Sequence, residues 1–109
     1  MLGQATRTYS AQVAGTVVNL DANMGVVIRS LVLVNTTAAL AYVQIFKKPA
    51  AGVTLGTTTP DLVIPLLASG GVSLSDVSMK IPGTGVSLAA TTTRTGAVGA
   101  TVDVFAAIE

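Results

Sequence analysis

The 109-residue chain contains no cysteine, no histidine and no tryptophan. Without cysteine it has neither a disulfide framework nor a thiolate metal site. Without histidine it lacks the side chain that most often serves as general base or metal ligand near neutral pH. Charge is scarce as well. Asp, Glu, Lys and Arg make up 10% of the residues, against about 25% in an ordinary globular domain. Six Lys/Arg against five Asp/Glu leave a formal net charge of +1, with no basic stripe to attract nucleic acid or an anionic membrane. Long hydrophobic runs are missing too. The longest, Val26–Val34, is broken by Arg29 and Ser30, whereas a spanning helix needs about 20 apolar residues. The opening MLGQATRTYS holds no apolar core of the signal-peptide kind.

What is present is apolar and β-branched. AVILMFWYC residues account for 50% of the chain, and its length suits a single domain, residues 1–109, that buries about two thirds of its unfolded surface. So little charge on so apolar a chain predicts that parts of the surface are covered by other subunits.

Period-2 alternation recurs along the whole sequence. Arg7–Val13 sets Tyr9, Ala11 and Val13 against Thr8, Ser10 and Gln12. Thr16–Leu20 follows, and Asp21-Ala22-Asn23-Met24-Gly25 has turn chemistry. Val26–Asn35 has the composition of a central strand, with Val26, Ile28, Val32 and Val34 expected on one face and Val27, Leu31 and Leu33 on the other. Ala41–Lys47 is a strand closed by Lys48-Pro49, and Asp61–Ala68 is a strand apolar on both faces. Val72–Leu74, Val77–Ile81, Val86–Thr93 and Thr101–Ile108 complete the series, punctuated by Ser69-Gly70-Gly71, Pro82-Gly83-Thr84-Gly85 and the loop Arg94–Gly99. No window carries helical periodicity with caps. About eight short strands predict an all-β fold, an antiparallel sandwich or jelly-roll-like barrel.

Catalytic chemistry has little to work with. The carboxylates Asp21, Asp61, Asp76, Asp103 and Glu109 are scattered through the chain, and no pair suggests the two facing carboxylates of a glycosidase. No enzyme activity, cofactor or metal is expected. Asp21-x-Asn23-x-Gly25 begins like a calcium loop but lacks its further oxygen ligands, so an Asx-type turn is the expectation. Gly83-Thr84-Gly85 precedes a strand and offers no helix N-terminus to a phosphate. Lys47-Lys48 is a solvated strand end. Tyr9, Tyr42, Phe46 and Phe105 are the whole aromatic supply, too few to serve both the core and a sugar-stacking platform.

The stretch Ala41–Leu67 stands out. Pro65 confines its second strand to a sheet edge or bulge, because it has no N–H for a ladder bond. An edge strand apolar on both faces needs a cover. The expected interface therefore comprises Leu62, Val63, Ile64, Pro65, Leu66 and Leu67, with Tyr42 and Phe46 on the preceding strand. Its outward face is either Val63 with Leu67, or Leu62, Ile64 and Leu66. The Lys48–Pro60 loop is long enough to reach a neighbouring molecule.

The run Tyr42-Val43-Gln44-Ile45-Phe46-Lys47-Lys48, then Gly56-Thr57 with Pro60, then Leu62–Leu67, resembles a group of small virion proteins of tailed bacteriophages. Gly70-Gly71 and Gly85-Val86-Ser87 continue the resemblance, which covers roughly Arg29 to Glu109 in order. Similar sequences carry an aspartate-rich loop before the last strand; Thr91-Thr92-Thr93-Arg94-Thr95-Gly96 stands there instead, so a role tied to that loop does not carry over. The resemblance implies a β-sandwich structural protein on the outside of the capsid, a head decoration or cement protein. Its partners would be copies of itself, commonly as a trimer, and the major capsid protein, with no nucleic acid or membrane. The alternatives are a neck, tail or fibre component, or a carbohydrate- or ligand-binding sandwich module.

Overall fold

The computed structural model describes residues 7–75 and 77–109. The carboxylate of Asp76 and most of the opening segment read for a signal peptide lie outside the described residues. Among those described there are nine strands, all in antiparallel pairs, arranged as two sheets. The expected all-β sandwich is what the chain forms.

In the first sheet, β1 (Arg7–Val13) pairs with β9 (Val102–Ile108), and β9 pairs with β3 (Val26–Asn35). The far side of β3 is shared. Its Leu31–Val34 half pairs with β6 (Gly71–Leu74) and its Val26–Ile28 half with β7 (Met79–Ile81). The second sheet runs β2 (Val18–Asp21), β8 (Val86–Thr91), β4 (Ala41–Phe46), β5 (Leu62–Leu66). The core lies between the sheets. Val13, Val102, Val104, Ile108, Ile28, Leu31 and Leu33 from the first face Val43, Ile45, Leu66, Val86, Leu88 and Ala90 from the second.

Alternation holds as expected in β1 and β9 but not in β3. The pairing of β3 with β9 slips between Ile28 and Ser30, which leaves Arg29 as the extra residue of a β-bulge. Because side chains alternate with period 2, one inserted residue exchanges the faces of everything beyond it. Val26 and Ile28 point inward before the bulge, and Leu31, Leu33 and Asn35 after it. The grouping of Val32 and Val34 with Val26 and Ile28 is thus corrected. Val32 and Val34 belong to the solvent side.

Asn35 ends β3 deep in the protein, and its side chain ties the two sheets together. Its Nδ2 donates to the carbonyl oxygens of Ala39 (2.8 Å), Leu66 (3.3 Å) and Leu67 (3.0 Å), while Oδ1 accepts the Thr37 N–H at 2.9 Å. A buried amide must have such partners, since an unsatisfied one costs about 1–3 kcal/mol.

Candidate functional site

The two sheets are covered very differently on their outer sides. On the second sheet, Gln44, Phe46, Ser87, Ala89 and Thr91 alternate with the core residues and so point away from the sandwich, yet all are buried. Two loops roof them. The 47–61 segment folds back over the sheet: Ser87 Oγ donates to the Lys48 carbonyl (2.7 Å), Ala50 N–H to Asn19 Oδ1 (2.8 Å) and Lys47 N–H to Asp61 Oδ2 (2.7 Å). A short 3-10 turn, Ala50–Gly52, packs on β8. The loop long enough to reach a neighbouring molecule is anchored on its own sheet, with Lys47, Lys48, Ala51, Gly52, Thr54 and Gly56 exposed.

The second roof is the 92–99 loop. Gln44 Nε2 donates to Thr91 Oγ1 (2.8 Å) and to the Gly96 carbonyl (3.1 Å), and Thr91 Oγ1 in turn donates to the Thr93 carbonyl (2.7 Å). A hydroxyl that donates elsewhere can only accept from Gln44, and a carbonyl always accepts, so the amide orientation is set by its partners. Gln44 Oε1 is left buried with no partner. The loop closes through Thr92 N–H to the Val98 carbonyl (2.8 Å) and the bridge between Thr91 and Gly99. Its foot crosses Gly15 so closely that a Cβ on Gly99 would come within 2.5 Å of the Gly15 nitrogen.

Between this loop and β5 the roof is open. Tyr42, Val63, Pro65 and Arg94 line a groove of about 290 Å³. Tyr42 stands opposite Pro65 and Gln44 opposite Val63, so the outward residues of β5 are Val63 and Pro65, while Leu62, Ile64 and Leu66 share the inward face with Val43 and Ile45. Arg94 is exposed and takes no part in the ion pairs found among the described residues, Arg7–Asp21 and Arg29–Glu109, both near 2.9 Å or shorter.

The expected interface therefore divides. β5 is indeed an edge strand, paired with β4 alone. Leu66 and Phe46 are buried within the chain, the first in the sandwich core and the second beneath the roof, and neither can meet a partner. Ile64 packs against the core. Tyr42, Val63 and Pro65 face the groove, and Leu62 and Leu67 are exposed at the two ends, Leu67 being 78% accessible. Arg94 joins this set only through the fold. Nothing in the sequence distinguishes it from any other loop arginine.

The outer side of the first sheet is bare. One row of neighbours, Ser10, Phe105, Val32 and Ser73, crosses β1, β9, β3 and β6 without a charge. Phe105 is 47% accessible and Val34 37%. Charge stands on either side of this row: Asp103, which accepts from Gln12 Nε2 at 3.2 Å, toward one end, and Lys80, at the register position opposite Val27, with the Arg29–Glu109 pair toward the other.

The remaining motifs resolve simply. Asp21 Oδ1 accepts the N–H groups of Asn23 (2.9 Å) and Met24 (3.1 Å), the Asx turn expected in place of a calcium loop. The Asn23 N–H foremost, with Arg7 and Met24, holds the Asp21 carboxyl below its ordinary range. Gly83-Thr84-Gly85 turns between β7 and β8. Among the described residues no cluster of acidic side chains could hold a metal, and no helix is long and apolar enough to cross a membrane.

The fold and its two unequal faces define an all-β sandwich with a roofed sheet and a bare one. No family model, curated protein or solved structure matches the chain.

Proposed function

We propose that this chain is a structural protein of a tailed-bacteriophage particle, a homo-oligomer that decorates and reinforces the head shell from outside. The observation that carries the reading is the bare outer side of the first sheet, where the uncharged row Ser10–Phe105–Val32–Ser73 runs from edge to edge. A chain with 10% charged residues keeps an exposed neutral sheet face of this kind at the risk of aggregation unless a partner covers it. The resemblance of Tyr42–Lys48, Gly56-Thr57 and Leu62–Leu67 to virion proteins supports the same reading. The work asked of such a protein is mechanical and needs no catalytic group.

The self-contact in this reading lies on the Phe105 face, with a trimer as the favoured assembly and the major capsid protein as the second partner. Peptide quantification by mass spectrometry on intact particles tests it. A copy number close to that of the shell protein is expected. A few copies per particle would move the chain to the neck or tail, and particles lacking it would end the proposal.

A further inference from the structure

The geometry points to the Tyr42–Val63–Pro65–Arg94 groove as a binding site for a carboxylate-bearing sugar ring, the uronic-acid type of unit found in acidic polysaccharides. This goes beyond the particle reading and does not rest on it. The groove offers one guanidinium and no carboxylate among its lining residues, beside a phenol ring and the apolar surfaces of Val63 and Pro65. A single guanidinium makes a bidentate fork that matches one carboxylate. A phosphate would call for more cations or a nest of backbone N–H groups, and the groove supplies neither. The apolar floor suits the carbon face of a ring, and about 290 Å³ lies at the small end of ligand sites, the scale of a single ring.

An extended acidic peptide fits less well. It would bind by adding a strand to the open edge of β5. That strand has five residues, Leu62–Leu66, and Pro65 within it has no N–H to give. A ring ligand needs no ladder.

The site is also built before any ligand arrives. Arg94 lies between two anchors, since Gln44 Nε2 holds Thr91 Oγ1 on one side of it and the Gly96 carbonyl on the other. Gly96 lies tight against the Thr93 hydroxyl, which would have to rotate away from any larger residue there. A loop ordered in advance loses less entropy on binding. Gln44 is thus a positioning residue for the Arg94 wall.

Titration of the ¹⁵N-labelled full chain with methyl β-glucuronide and, separately, methyl β-glucoside tests the assignment. The glucuronide should shift the amides of Val63, Ile64 and Thr93–Thr95 in a saturable way and bind at least tenfold more tightly than the glucoside. Arg94→Gln should weaken it at least tenfold with the remaining spectrum unchanged, and Arg94→Lys should restore only part. Equal affinity for the two sugars, shifts located elsewhere, no saturation, or tighter binding of a blocked acidic peptide would each overturn the proposal. None of these results bears on particle copy number, so the two readings fail separately.

Discussion

The Asn35 side chain donates to the Leu67 carbonyl across 3.0 Å, joining the end of β3 in one sheet to the exit of β5 in the other. The same amide reaches the Leu66 and Ala39 carbonyls and receives the Thr37 N–H. Removing it takes a partner from the Leu66 carbonyl and the Thr37 N–H, while the Leu67 and Ala39 carbonyls keep the Gly70 N–H and the Thr37 hydroxyl. Asn35→Ala is expected to cost about 2–3 kcal/mol, a fall in melting temperature of roughly 10 °C or more. Asn35→Asp should be at least as damaging, because a carboxylate would face carbonyl oxygens instead of donating to them. Thermal unfolding followed by circular dichroism measures both.

The crossing of Gly15 and Gly99 leaves no room for a methyl group. Each glycine's missing Cβ would meet backbone atoms of the other, at 3.0 Å from the Gly99 Cα and 2.5 Å from the Gly15 nitrogen. Backbone cannot swing aside as a flexible side chain can. Gly99→Ala is expected to destabilise by about 1–3 kcal/mol, seen as a lower urea midpoint with an unchanged slope.

Asp21 makes stability depend on acid. Its carboxyl sits below the ordinary range because the Asn23 N–H, the Arg7 guanidinium and the Met24 N–H all favour the charged form. A depressed carboxyl contributes stability that is present above its unfolded value, about 3.9, and is lost as pH falls through the folded value. Asp21→Asn keeps an oxygen acceptor for the turn but removes the charge. It should lower the urea midpoint modestly at neutral pH, where the charged form contributes, and flatten the further loss below about pH 4. An unaltered acid limb would rule Asp21 out as its source.

Self-association is expected to depend on the bare sheet. Phe105→Asp should convert the oligomer to monomer by light scattering, since it places a charge in the middle of an uncharged row. Leu67→Asp should leave the mass unchanged. The reverse pattern would return the contact to the end of β5.

Strand positions were largely legible because apolar, β-branched runs recur between Gly and Pro punctuation. Arg7–Val13 and Val26–Asn35 form over the very residues expected. The bulge at Arg29 was not legible, since an inserted residue leaves the composition of a strand untouched and changes only its phase. Pro65 announced an edge through its missing N–H. The roof over the second sheet had no comparable signal. Gln44 and Phe46 alternate in the usual way, and only the folded loops show that both faces of β4 are buried. For the same reason the groove could be guessed on its β4 and β5 side but not on its Arg94 side.

The unequal covering of the two sheets gives the molecule an upper and a lower surface that cannot be exchanged. In an oligomer whose copies meet through the Phe105 side, every groove would open outward, away from the contact. Such an assembly would hide a largely uncharged sheet at its centre and carry one Arg94 groove per copy on its outside, beside the exposed Lys47 and Lys48.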